Sequence, residues 1–117
     1  MDGSLFRVGG YVSVWLGDIA TEGELERYLR TDFSDDFGFT FDFAWGPEAT
    51  AEDSKPVGAL LDGFSQSQRF VDQVANAARS MGITHASAAV VFYAFRYEPK
   101  RSPRSSTKLR FIGAFTT

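Results

Sequence analysis

Residues 87–97, Ser-Ala-Ala-Val-Val-Phe-Tyr-Ala-Phe-Arg-Tyr, are the longest nearly uncharged apolar run in the chain. Their length and their β-branched and aromatic content read as a strand covered on both faces, or nearly so. Helical signals precede the run, and a second strand-like run at 109–115 follows it. It is therefore taken as the central strand of one small sheet. A chain of 117 residues is one domain by length, so 1–117 is read as a single domain able to bury a core without a staple. Cysteine is absent, which removes disulfides, thiolate chemistry and cysteine-ligated zinc. A single histidine, His85, argues against a histidine metal centre or a catalytic triad. No metal and no cofactor are expected.

The elements around that run follow from spacing. Residues 11–16, Tyr-Val-Ser-Val-Trp-Leu, are a strand punctuated by Gly9, Gly10 and Gly17. Val12, Val14 and Leu16 point one way and Tyr11, Ser13 and Trp15 the other, so this strand is internal to the sheet. Thr21 and Glu24 have capping-box spacing and open a helix. Leu25, Tyr28 and Leu29 are its apolar face, and it stops near Thr31. Pro56 fits the first turn of a short helix with Val57, Leu60 and Leu61 buried. Ser65 and Gln68 repeat the capping-box spacing for a longer helix. Its apolar stripe is Phe70, Val74, Ala77, Ala78 and Met81, and Gly82 caps its end. The strand at 109–115 is expected antiparallel to the central one, across a polar loop at 98–107. The sum is an α+β fold: a mainly antiparallel sheet of about four strands, two longer helices and one short helix.

Residues 37–45 alternate with period two, with Phe37, Phe39, Phe41, Phe43 and Trp45 at the odd positions. In an extended chain all five rings face one side. They are either a platform for bases or sugars or a strand or extended loop burying that face against helices. The buried reading is preferred, because five exposed rings invite aggregation. Gly38 is the place where the regularity can break. Residues 46–55 read as loop.

Net charge is −3, but it is unevenly distributed. Residues 18–53 hold eleven acidic and two basic side chains, a balance of −9, whereas residues 54–117 hold three acidic and nine basic, a balance of +6. Such polarity can aim a domain at a basic partner from one side. Paired carboxylates occur at Asp35 and Asp36 and at Glu52 and Asp53. Acid–base catalysis needs carboxyls converging on a cleft with separated pKa values, and adjacent loop residues do not show that. No catalytic residue is assigned and no enzymatic activity is expected. The Gly9-Gly10 pair has no lysine and opens no helix, so it is not a phosphate loop. The N-terminus carries no secretory signal and no run is long enough for a bilayer, so a cytoplasmic protein is expected.

The order of these pieces resembles the immunity protein 22 family of bacterial polymorphic-toxin systems. The residues that carry the likeness are Val-Ser-Val-Trp-Leu-Gly at 12–17, the acidic helix with Leu25, Tyr28 and Leu29, and Asp-Phe-Gly-Phe at 36–39. To these add Leu-Leu-Asp-Gly-Phe-Ser at 60–65, Tyr-Ala-Phe-Arg-Tyr at 93–97 and Phe-Ile-Gly at 111–113. The likeness spans about residues 11–115. The chain departs from the family at 39–45, where more acidic residues are usual, and at the basic segment 100–110. Trp15, Gly17, Gly63 and Phe64 match recurring positions and are read as structural.

The resemblance implies an immunity protein that binds and neutralises a cognate toxin domain in a stoichiometric complex. Toxins of such systems, delivered by type VI or contact-dependent secretion, are often nucleases such as DNases. A nuclease holds a polyanion, so its cleft is basic. A clustered acidic face complements it, favouring rapid encounter and partner choice, while aromatic anchors supply affinity. The partner-binding residues expected on this reading are Asp32, Asp35, Asp36, Asp42, Trp45, Glu48, Glu52 and Asp53. Trp45 is either the first anchor or part of the core. The rival reading is a small nucleic-acid-binding module using the basic segment 96–110, namely Lys100, Arg101, Arg104, Lys108 and Arg110, with Tyr97 and Phe95. The negative net charge weighs against that reading. No membrane partner is expected.

Overall fold

A computed structural model describes residues 2–42, 46–99 and 108–117. Four strands form one sheet: β1 (Arg7–Gly17), β2 (Glu48–Pro56), β3 (His85–Phe95) and β4 (Leu109–Thr116). The order is β2-β3-β1-β4, and every neighbouring pair is antiparallel. β1 and β3 are the interior strands, as their two-sided apolar content requires. The last strand lies against β1 and not against β3, which corrects the expected pairing. β1 separates β3 from β4, so these two strands do not pair; residues 100–107 of the connection between them lie outside the described residues. The Cα radius of gyration, 12.9 Å, matches the ~13 Å of a compact domain of this length.

Four helices cover both faces of the sheet. Helices α1 (Glu22–Thr31) and α2 (Phe33–Phe37) lie on one face; α3 (Val57–Leu61) and α4 (Val71–Ser80) lie on the other. Two are long and two short, one short helix more than the sequence pattern predicted. The period-two rule sorts the strand residues between the layers. Trp15, Ala88, Val90 and Phe92 pack beneath α1 and α2. Val12, Val14, Leu16, Ala89 and Val91 pack beneath α3 and α4. No helix among the described residues is long and apolar enough to cross a membrane.

The α1 boundary follows its cap. Thr21 Oγ1 accepts the Glu24 N–H at 3.2 Å, and Leu25, Tyr28 and Leu29 are buried. At the other end of the fold, α4 closes on Gly82, whose φ of +81° is the left-handed value that glycine adopts without strain. Gly82 N–H donates to Arg79 O and Ile83 N–H to Ala78 O, the paired bonds of a Schellman stop. The start of α4 differs from expectation. Ser65 does not open the helix: its amide donates to Glu48 and its Oγ lies 3.4 Å from Glu48 Oε2, while a 3-10 turn (Ser67–Arg69) precedes the helix, which begins after Phe70. Phe70, Val74 and Ala78 are buried, but Met81 is exposed, because the chain has left the helix there.

Two further expectations are overturned. Residues 37–41 are not one extended segment. Phe33 and Phe37, four apart, share the buried side of α2, and Gly38 at φ +82° ends the helix. Phe39 is buried and Phe41 is half-buried against the same core, so the rings bury as the preferred reading required, by a different backbone route. Phe43 and Trp45 lie outside the described residues. Residues 48–56 are not loop but the edge strand β2. Its composition hid it, because an edge strand pairs on one side only and carries charge to discourage pairing on the other. Its pairing with β3 skips from Ala51 to Lys55, so Glu52, Asp53 and Ser54 bulge from the ladder.

Candidate functional site

The helices place the acidic residues. α1 turns Leu25, Tyr28 and Leu29 inward, so Glu22, Glu24 and Glu26 face outward and are exposed. Asp32 is exposed at the junction of α1 and α2, and Asp35 is exposed on α2. Residues 18–42, which build this layer, hold eight acidic and two basic side chains, a balance of −6. Residues 57–82, which build the opposite layer, hold two of each, Asp62 and Asp72 against Arg69 and Arg79, a balance of zero. Most of the acidic excess of the sequence thus lies on one helical layer, whereas its basic excess belongs to neither layer.

The predicted residues do not all have the same role. Asp36 is half-buried and accepts the Tyr28 hydroxyl at 2.5 Å. Burial and this bond together hold the Tyr28 phenol well above its ordinary pKa. Glu48 is also half-buried. Its Oε1 accepts the Tyr93 hydroxyl at 2.6 Å and the Ser65 N–H at 3.0 Å. The Tyr93 phenol is pushed up in the same way, by burial first and the carboxylate second. Glu52 pairs with Lys55, which lowers the pKa of its carboxyl. Asp36, Glu48 and Glu52 therefore hold structure together, while Asp32, Asp35, Asp42 and Asp53 are exposed. Trp45 lies outside the described residues.

The structure adds residues that the sequence reading left out. Glu22 and Glu26 line a shallow groove with Leu25, Leu29, Pro47 and Ala49, where α1 meets the start of β2. Their i,i+4 spacing on one helix flank was the available signal. Their partner in the groove was hidden because β2 was not recognised as a strand.

The basic segment is arranged differently. Phe95 and Tyr97, the rings that a nucleic-acid reading would stack on bases, are buried at 0% and 6% exposure. Tyr97 donates its hydroxyl to Phe37 O at 2.6 Å and its amide to Ser13 Oγ at 2.9 Å, so it is a core tether. Arg96 lies over the Tyr11 ring and forms a 3.8 Å ion pair with Glu98. Lys108 and Arg110 are exposed; Lys100, Arg101 and Arg104 lie outside the described residues.

A second feature is a cleft of about 520 Å³ at the end of the sheet where β1 begins and β3 ends. It is lined by Tyr11, Glu48, Ser65, Gln66, Phe70 and Tyr93, with Gly10 and Ala94 at the backbone. Among the described residues, no group of three or more potential metal ligands is gathered. Gly17 is needed for close approach: a Cβ there would collide with Lys108 O and the Leu109 side chain. Trp15 is wholly buried at the centre of the aromatic layer. Compared with protein-family models, curated proteins and solved structures, the chain matches none.

Proposed function

We propose that this protein is a stoichiometric inhibitor that neutralises a secreted bacterial toxin, a nuclease with a basic active-site cleft, in the cytoplasm of the cell that makes both. The observation that carries the reading is the charge difference between the layers, −6 over residues 18–42, which hold α1 and α2, against zero over residues 57–82, which hold α3 and α4. A domain with one acidic side offers a single orientation to a basic surface, which favours fast encounter and partner discrimination. The resemblance to immunity protein 22 supports the same reading. Docking uses the exposed Asp32, Asp35, Asp42 and Asp53 with Glu22 and Glu24, while Asp36, Glu48 and Glu52 shape the surface behind them.

The test uses the toxin domain encoded beside this gene. The purified proteins are mixed, binding is followed by calorimetry, and nuclease activity is read in the same samples. The expected result is loss of activity near one equivalent. The double reversal Asp32→Lys and Asp53→Lys should weaken binding, most strongly at low salt, with thermal stability retained. Unchanged affinity in that variant rejects the acidic docking face, and absence of any complex rejects the inhibitor.

A further inference from the structure

The cleft beside β2 has a built floor. Among the described residues that line it, Glu48 is the one acidic or basic side chain. Its carboxylate is fixed in place, because Oε1 already accepts from Tyr93 and from the Ser65 amide. Oε2 has, among the described residues, the long Ser65 Oγ contact at 3.4 Å. A carboxylate offers about four acceptor positions, so this one retains unused capacity on Oε2. The cleft walls are aromatic: Phe70 and Tyr93 meet edge to face at 6.1 Å, and Tyr11, whose ring already carries Arg96, forms part of the rim.

The backbone around the cleft is also unusual. Among the described residues, two non-glycine residues have left-handed φ, Gln66 at +55° and Ala94 at +51°, and both line this cleft. Gly10, at +85°, lines it as well. Left-handed backbone is strained for a non-glycine residue and gathers at ligand sites, where surrounding structure holds it. The cleft volume falls in the range of about 300–1,000 Å³ common to ligand pockets.

From a pre-fixed carboxylate with a spare oxygen, aromatic walls and no cationic side chain among the described lining residues, we infer that the cleft receives a guanidinium group, presented as an arginine side chain on a peptide segment. Guanidinium is favoured over ammonium because its planar fork can donate to a carboxylate oxygen while its face lies on an aromatic ring. That the arginine belongs to the basic partner proposed above rests on that reading; the guanidinium site itself does not.

The experiment titrates the isotopically labelled protein with the capped peptide acetyl-Gly-Arg-Gly-amide. Its controls are the citrulline peptide, which keeps the shape without the charge, and the lysine peptide. Saturable chemical-shift changes should centre on Glu48, Ser65, Gln66 and Ala94. The citrulline peptide should bind about tenfold more weakly or less well still, as expected when a charge-assisted hydrogen bond is lost. Glu48→Gln should show a similar loss. Thr117→Lys places a positive charge at the cleft without touching the Glu48 bonds, and should also weaken binding if Glu48→Gln fails to fold. Equal binding of the arginine and citrulline peptides overturns the inference. So do shifts confined to the α1 and α2 carboxylates, or no saturable shift. Arginine binding without toxin binding would retain the cleft and reject the toxin reading. Toxin binding that Glu48→Gln and Thr117→Lys leave unchanged would reject the cleft as the site of partner contact.

Discussion

The two faces of the sheet are built from alternate residues of the same strands, yet they solve the packing problem differently. The face beneath α1 and α2 is aromatic. Trp15 stands at its centre, 5.3 Å from the Phe33 ring, 5.4 Å from Phe92 and 4.9 Å from Phe111, in edge and tilted arrangements. The face beneath α3 and α4 is mainly aliphatic, with Val12, Val14, Leu16, Val57, Leu60 and Leu61. The aromatic face also carries buried polar obligations. Tyr97 hydroxyl and Ser13 Oγ are satisfied, but the Trp15 indole N–H is buried without a hydrogen-bond partner among the described residues. Large rings fill space under two short-looped helices efficiently, at the cost of polar atoms that must be accommodated in the core.

The most severe test of that comparison is truncation on each side. Trp15→Ala should cost about 4–5 kcal/mol and Leu61→Ala about 3 kcal/mol, because the larger ring leaves the larger cavity. Chemical denaturation of both variants measures the difference. Trp15→Phe sharpens the point: it removes the unpartnered N–H along with part of the ring, so its loss should fall well below that of Trp15→Ala. A Trp15→Phe variant as unstable as Trp15→Ala would mean that shape, and not the burden of a buried donor, dominates at this position.

Next in size are the tyrosine tethers. Tyr97→Phe leaves the Phe37 carbonyl unsatisfied within the core and should cost about 1–3 kcal/mol. Tyr93→Phe, on the other face, should cost less, because the Glu48 carboxylate it abandons is half-exposed and keeps the Ser65 amide. Comparable losses in the two variants would erase the distinction between a buried and a wetted hydroxyl.

Each face also carries one phenol–carboxylate pair, Tyr28 with Asp36 and Tyr93 with Glu48. Both phenols have folded pKa values raised above the unfolded value. The stability they contribute is therefore complete below about pH 10, where the unfolded chain also keeps its phenol protons. Above that pH the unfolded chain ionises first, so stability falls as pH rises. Melting temperature measured across the alkaline range should decline, and the decline should be shallower in both Tyr28→Phe and Tyr93→Phe. A profile unchanged by both substitutions would remove these phenols from the account.

The sheet's interior was legible because it rests on periodicity. Val12, Val14 and Leu16 against Trp15, and the run at 87–97, could bury their side chains in few other ways. Caps were legible where their chemistry is local, at Thr21 and Gly82. What escaped depended on neighbours distant in sequence. Glu48 captures the Ser65 amide across seventeen residues and cancels a plausible helix cap. Residues 48–56 become a strand because β3 offers an edge, not because of their own composition. Gly38 divides a regular aromatic alternation into a helix end and a buried ring. The acidic site was partly legible as well: charge can be counted from sequence, but which carboxylates are committed to tyrosines cannot. The cleft needed β1, β2, β3 and the turn before α4 together, and no segment by itself announces it.

The smallest expected effect separates surface from scaffold within the acidic layer itself. Asp32 and Asp53 are exposed, and no hydrogen bond from the Asp32 side chain caps α2. Reversal to lysine at either position should change stability by no more than about 0.5 kcal/mol, as for ordinary surface substitutions. Asp36 lies in the same layer but accepts the Tyr28 hydroxyl. Asp36→Lys must break that bond and place a cation beside the buried Tyr28 ring, so its loss should exceed the other two measurably. Thermal unfolding of the three single variants decides the matter. If all three melt together, the Tyr28 tether contributes nothing and the acidic layer is uniform. If Asp36→Lys alone is destabilised, binding measurements on Asp32→Lys and Asp53→Lys report docking without interference from folding.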